Sequence, residues 1–369
     1  MKLDMARINR SIADRSNVFY WQTDRAVTPE EAGHIWADRH RYFSDDEILQ
    51  RVNAALVDKL VSIEPLDPKA QTNLGNVNSV RIGRLVSGAS VVIRCHPKGV
   101  RNGYFHVESL AARRAKVAGL PSFDTLAVHD FEGGDDFAFH VLEKLPGTNI
   151  KKWLEAHPAD EPGLLPQIGK MMARLHKITV EGYGPFDNEQ AKSGKLVGLH
   201  KTFASAVRAG LGFNLEVLEK EKIITQAQSV AINNLFGDDN ATLKIDGAVL
   251  VHNDFADWNL LTNGNAITGV LDWDECVGGD PVSDIACWST FFEPERMPGF
   301  IEGYQHVGKQ LPEDFQDRFE LLRLRYTISK MTLRLRRYNW EPSALMKEKI
   351  ETGKQHLAKS LGYFRIGAV

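Results

Sequence analysis

The chain has 369 residues, 43% hydrophobic and 25% charged, with a formal net charge of −3. That composition suits a globular protein of about two domains, and so small a net charge gives no reason to expect nucleic acid or an acidic membrane surface as partner. Three cysteines without a C-x-x-C pair argue against a disulfide framework or a structural zinc site and fit a reducing cytoplasm.

Residues 1–44 mix charge with aromatics, and Thr28-Pro29-Glu30-Glu31 reads as a helix start: Thr would cap, and Pro would open the first turn. The opening fifteen residues lack the apolar core of a signal peptide. No apolar run reaches the length of a membrane span, about 18 residues. In 45–60, Ile48, Val52, Leu56 and Leu60 recur at helical spacing.

β-branched runs follow. "NVNSVRIGRL" and "ASVVIRCHP" predict two antiparallel strands, with Gly83 and Gly88 within or between them. A helix is expected over 104–118, stopped by Gly119 and Pro121. "TLAVHDF" and "DFAFHVLEKL" flank Gly133-Gly134 as two further strands. Pro146-Gly147 closes this part as a hinge.

From 148 onward helical patterns dominate. Leu164, Ile168, Met171, Met172, Leu175 and Ile178 form one apolar face. Helices are expected around 198–235 and from 281 to the end. The expected fold is α+β in two lobes: a small antiparallel sheet with a helix, then a larger, mainly helical lobe carrying one polar hairpin. The boundaries are 1–44 for an extension of unknown role, 45–145 for the β-rich lobe and 146–369 for the helical lobe. A small-molecule cleft belongs between such lobes.

The hairpin is the informative stretch. "AVLV" (248–251) leads into a polar loop, and "NLLT" and "AITGVLD" flank the turn Asn263-Gly264-Asn265. If Thr262 faces Ala266, Asn259 faces Gly269, and the second strand runs on to set Asp272 beside the 252–258 loop. Asp254, Asn259 and Asp272 then converge. Two carboxylates and an amide oxygen suit Mg²⁺, which leaves positions for water and phosphate. A nearby acid could accept a hydroxyl proton, as phosphoryl transfer requires. His252 to Asn259 also has the kinase catalytic-loop spacing H-x-D-x-x-x-x-N.

"HNDFADWNLL" followed by "GVLDWDECVGGDPVSDIA" resembles the aminoglycoside phosphotransferase and choline kinase-like family, which has a protein-kinase-like fold. "MARLHKITVEGYGPF", "VLEKLPG", "SVVIRCHP" and "FHVESLAARRAKVAGLP" extend the likeness over about 60–290. The resemblance implies Asp254 as the base, His252 as a brace of its loop, and Asn259 and Asp272 as Mg²⁺ ligands. It implies that Asp280 and Asp284 support the loop and that Glu108 pairs with the phosphate-contacting cation. Arg94 stands where the family carries a lysine; its fixed charge and bidentate grip preserve the role. The backbone of 141–147, with Glu143 and Leu145, is implied to hold the nucleotide base. "NLGNVNSV" supplies Gly75 and Asn76 near phosphate, although it is not a G-x-G-x-x-G loop. ATP or GTP and Mg²⁺ are the implied cofactors, and a small hydroxylated molecule is the implied acceptor. Neither nucleic acid nor a membrane is an expected partner, and the oligomeric state is open between monomer and homodimer.

The remaining residues have simpler readings. Asp257 and Asp274 are expected as solvated loop acids, His176 as a buried, hydrogen-bonded helix residue, and Trp273 and Cys276 as packing. P-loop, Rossmann and zinc-protease motifs are missing from the sequence. The acceptor depends on which surface faces the cleft. Glu293 and Glu295 would favour a polycation. Arg323, Arg325, Lys330, Arg334, Arg336 and Arg337 would favour an anionic or neutral alcohol. A catalytically silent nucleotide-binding pseudokinase acting through partners is the alternative; the intact Asp254–Asn259–Asp272 set argues against it.

Overall fold

A computed structural model describes residues 43–66, 78–97, 104–130, 137–308, 310–340 and 342–367. The helix start expected at Thr28, nearly all of the extension and the segment holding Gly75 and Asn76 lie outside them.

Helix α1 (Asp45–Ala55) begins at Ser44, whose hydroxyl accepts from the Glu47 N–H at 3.2 Å. Acids at 45, 46 and 47 complement the helix dipole. The helix stops at Ala55, short of the expected Leu60, which instead opens strand β1 (Leu60–Pro65). The Asn53 side chain makes this corner, accepting from Leu60 N–H at 2.7 Å and donating to its carbonyl at 3.2 Å. Leu56 and Leu60 are both buried, as a helical face would also require.

Strands β2 (Ser79–Leu85) and β3 (Ser90–Pro97), helix α2 (Phe105–Val117), and strands β4 (Thr125–His129) and β5 (Phe137–Glu143) follow the expected order. They form an antiparallel sheet ordered β1-β2-β3-β5-β4. Strand alternation splits β3 between two faces. Val91, Ile93 and Cys95 enter an apolar core with Ile48 and Val52 of α1, while Arg94 meets Glu108 of α2.

After β5 come β6 (Thr148–Asn149), α3 (Ile150–Ala156) and α4 (Glu161–Leu175). Gly147 has φ 115°, and a Cβ there would lie 2.8 Å from the Thr262 carbonyl oxygen. Only glycine fits this approach to the hairpin.

The larger lobe holds more β-structure than one hairpin. Strands β7 (Thr179–Val180), β8 (Tyr183–Phe186), β9 (Gly198–His200) and β10 (Ala248–Val251) join a sheet ordered β7-β10-β13-β8-β9, where β13 is Val277–Gly279. The chain at 198 is thus a strand, not a helix start. Among them lie α5 (Asn188–Lys192), α6 (Phe203–Arg208), α7 (Leu211–Lys220) and α8 (Gln226–Leu235). The hairpin itself is β11 (Leu260–Thr262) and β12 (Ile267–Val270), extended by β6.

Its register differs from the expected one. Leu260 faces Val270, Leu261 faces Gly269 and Thr262 faces Ile267, with an irregularity between Leu261 and Thr262. Asn259 therefore adjoins Leu271, whose N–H donates to its carbonyl at 2.8 Å. Asp272 arrives one residue beyond that bond.

Helices α9 (Pro281–Ser289), α10 (Met297–His306), α11 (Phe315–Trp340) and α12 (Ala344–Tyr363) complete the lobe. A single large apolar cluster links them to α2 and α4. Among the described residues, no helix is long and apolar enough to cross a membrane.

Candidate active site

The loop after β10 is held from beneath by one carboxylate. Asp284, in the first turn of α9, accepts the backbone N–H of His252 at 2.8 Å and of Asn253 at 2.7 Å. His176 is fully buried; its Nε2 lies 3.1 Å from Asp284, and its Nδ1 lies 2.8 Å from the Tyr304 hydroxyl. Asp280 caps α9 by accepting from Val282 N–H at 2.7 Å, and it pairs with Arg318 at 2.6 Å. Asn253 takes a left-handed conformation, φ 69°, which turns the chain sharply between His252 and Asp254.

The buried His252 ring touches the Leu271 carbonyl through Nε2 at 2.9 Å. A carbonyl only accepts, so Nε2 carries the hydrogen. Nδ1 then accepts from the Asp254 N–H at 3.3 Å. Burial pushes the His252 pKa down. The result is a neutral ring in one tautomer, tying the loop to the hairpin.

The Asp254 carboxylate accepts from Asn259 Nδ2 at 2.7 Å and from Trp258 Nε1 at 3.2 Å. Asn259 Nδ2 also donates to the Asp254 carbonyl at 2.9 Å. The Asn259 amide nitrogen is thus committed to the loop, and its oxygen is the atom left to face a cation. Burial raises the Asp254 pKa, while Lys330 and the hydrogen bonds pull it down.

Asp272 sits in the left-handed region, φ 64°, at the start of a 3-10 turn over 273–275. It faces Arg94: Nη2 lies 2.9 Å from Oδ1. The same nitrogen lies 3.5 Å from Asp274 Oδ2, and Nη1 bonds Glu108. Behind Glu108, His140 Nδ1 lies 3.1 Å away, and His140 Nε2 lies 2.9 Å from the Thr125 hydroxyl.

Three acids therefore surround one arginine. Burial would raise Glu108, but Arg94 and His140 overcome it and hold the carboxyl at about 2. Burial pushes Asp272 up to about 6, only partly offset by Arg94. Asp274 rises well above its ordinary value through burial and the Asp272 charge. Arg94 does not neutralise the group. Among the described residues no three His, Cys, Asp or Glu side chains group to hold a metal ion; Asp272 and the Asn259 oxygen are the hard donors that a divalent cation such as Mg²⁺, otherwise held by water and phosphate, would take.

Asp274 is thus no solvated loop acid: its side chain is 7% exposed and belongs to the Arg94 cluster. Asp257 is not solvated either. It is buried and pairs with Arg296 at 2.8 Å. Trp273 and Cys276 are buried as expected, and Trp273 Nε1 donates to Ser122 Oγ at 3.1 Å.

Glu143 ends β5, paired with Val91 of β3. Its N–H donates to the Asp124 carbonyl at 2.9 Å, and its carboxylate takes Lys116 at 3.1 Å. Leu145 packs over Gly269 of β12. Gly75 and Asn76 lie outside the described residues.

Helix α11 also reaches the site. Tyr326 OH donates to Asn253 Oδ1 at 2.5 Å, and Lys330 Nζ donates to Thr290 Oγ1 at 2.7 Å. Both residues line a cavity of about 240 Å³ with Asn253, Glu275, Cys287 and Arg325. Neither Glu293 nor Glu295 lines it. Of the two surfaces weighed from sequence, the basic helix is the one at the cavity. Tyr326 was not legible as a site residue, because no local spacing connects it to a loop 73 residues earlier.

The family model described as phosphotransferase enzyme family (APH) matches residues 91–318. Curated protein sequences gave no significant match. Among solved structures, the chain is similar to a thermostable mutant of aminoglycoside phosphotransferase APH(4)-Ia in ternary complex with AMP-PNP and hygromycin B. That match has 18% identity, covers 81% of this chain and 95% of the other, and has a TM-score of 0.58. A putative fructosamine-3-kinase from Thermobifida fusca YX-ER1 matches at 14% identity, over 85% and 99% of the two chains, with a TM-score of 0.58. The APH(2″)-IIa structure with gentamicin matches at 16%, over 86% and 96%, with a TM-score of 0.53. These likenesses establish the two-lobed, protein-kinase-like fold.

Proposed function

Because the chain belongs to the phosphotransferase enzyme family, we propose that it is a small-molecule kinase moving the γ-phosphoryl group of ATP or GTP onto an alcohol. What supports this reading is the Asp254–Asn259 hydrogen bond in a loop braced by Asp284, with Asp272 one residue past the backbone bond from Leu271 to Asn259. Residues 45–145 would hold the nucleotide, and 146–369 the acceptor.

Each residue has a role its surroundings support. The Asp254 carboxylate takes the proton of the acceptor hydroxyl, and burial, by raising its pKa, makes it a stronger base. The acceptor oxygen bonds to the γ-phosphorus as the bond from that phosphorus to the bridging oxygen breaks, releasing the nucleoside diphosphate. Asn259 and Asp272 would hold Mg²⁺, which supplies charge neutralisation for the phosphates. Arg94, aimed by Glu108, grips a phosphate oxygen. The family resemblance would assign Gly75 and Asn76 to the phosphates, and the backbone at Glu143 and Leu145 would receive the base. His252 fixes the loop without exchanging protons.

Thermal stabilisation by ATP or GTP, with and without Mg²⁺, tests the nucleotide half. Release of the diphosphate over a panel of alcohols tests the transfer half. Binding without transfer to any alcohol would favour a silent nucleotide-binding protein. Absence of Mg²⁺-dependent binding would end the kinase reading.

A further inference from the structure

The cavity beside the catalytic loop has a volume of about 240 Å³, room for a small organic molecule in place of several waters. Phe203, Val207, Val277 and Leu322 give it apolar walls. Helix α11 adds two cations to that lining, Arg325 and Lys330, against one acid, Glu275.

Neither cation has a carboxylate within ion-pair distance among the described residues. Arg325 donates to the carbonyls of Val207 at 2.6 Å and Ala209 at 2.7 Å, to Asn214 Oδ1 at 3.2 Å, and to the Ser329 hydroxyl. Every one of these partners is uncharged. Lys330 Nζ has Thr290 Oγ1 at 2.7 Å, and the Phe291 ring centroid lies 3.1 Å from it. Burial pushes Arg325 down to about 10 and lowers Lys330 as well. Among the described residues Arg325 is desolvated with no carboxylate near it, and Lys330 has only the more distant charges of Asp254 and Glu275 to offset its burial; positive charge held in this way is costly to maintain. A ligand that brings the missing negative charge offsets that cost, and a polycation adds to it.

We propose that the acceptor is a small alcohol bearing a carboxylate or a phosphate, its anionic end against Lys330 and Arg325 in the cavity and its hydroxyl reaching past Asn253 to the neighbouring Asp254. This rests on the phosphotransfer reading above and names the substrate class for it. The apolar walls lie against the carbon skeleton.

The test uses the full chain with Mg²⁺ and ATP or GTP. Three acceptor panels of similar size are compared: hydroxy carboxylates, phosphorylated alcohols, and amino or quaternary-ammonium alcohols, with an aminoglycoside added to the last. Diphosphate release with one anionic panel is expected, and which panel responds distinguishes carboxylate from phosphate. Lys330→Glu should raise the acceptor KM by about 10–100-fold, the range for losing one charge-assisted hydrogen bond, with the nucleotide KM moving far less. Lys330→Arg should recover most of the loss, and Lys330→Met serves if the charge reversal does not fold. Turnover confined to cationic or neutral alcohols overturns the proposal. So does an unchanged acceptor KM in the Lys330 variants, or failure of every anionic alcohol while Mg²⁺-nucleotide still stabilises the fold. Loss of that stabilisation in the wild type would instead sink the kinase reading.

Discussion

Arg94 and Asp272 stand 178 residues apart in sequence and 2.9 Å apart in space. The contact joins the small sheet to the base of the hairpin, so it is a fastening between the lobes as well as part of the site. Arg94→Ala would strand Glu108, which is wholly buried, without its main counter-charge. We expect a loss of about 3–5 kcal/mol in urea unfolding, the usual result of removing one member of a buried pair. Arg94→Lys should lose less, since it keeps the charge and gives up the two-pronged grip.

Asp254→Ala separates chemistry from binding. Removing a general base typically lowers the rate by about 10²–10⁴-fold. With a confirmed acceptor, kcat should fall in that range while the nucleotide still raises Tm in the presence of Mg²⁺. Retained turnover would show that another group takes the proton.

Asp272 predicts a conflict between function and stability. Its folded pKa, about 6, lies above the ordinary 3.8. Between those values the folded chain holds the proton more tightly than the unfolded one, so this group's contribution falls as pH rises through the window. At pH 7 its full cost is present. Asp272→Asn should raise the nucleotide-free Tm at pH 7 by about 1–3 °C, a modest figure because solvent screens a side chain that is 40% exposed. The gain should vanish near pH 4, and Mg²⁺-dependent stabilisation by nucleotide should be lost. Scanning calorimetry at the two pH values checks both signs.

Asp284→Ala would leave the N–H groups of His252 and Asn253 buried without an acceptor. Each orphaned donor costs about 1–3 kcal/mol, so Tm should drop sharply and transfer should fall with it. Asp284→Asn keeps one acceptor oxygen and should land between wild type and Ala. Equal stability of Ala and wild type would mean that the loop holds itself.

The catalytic loop and the order of the β-rich lobe were legible because their signals are local: H-x-D-x-x-x-x-N spacing, strand alternation, and glycine stops. Strands of two to four residues such as β7 and β13 are too short to show a period, so the second sheet was not. Leu56 and Leu60 satisfied a helical face equally well as a cap and a strand start; the Asn53 bonds to Leu60 and the pairing of Leu60 with Leu85 separate the two. The role of Asp274 was hidden because Arg94 lies 180 residues away. The basic residues of α11 were visible as composition, but which of them face the cavity was set by packing.

Helix α12 never touches the proposed chemistry, yet it underlies it. Gly353 lies so close to Met331 that a Cβ would come within 2.7 Å of that side chain, and Arg334 Nη1 donates to the Lys349 carbonyl at 2.9 Å. Lys330 is the residue next to Met331. The first half of α12 therefore backs the stretch of α11 that presents Lys330, and a side chain added at Gly353 would press on that stretch from behind.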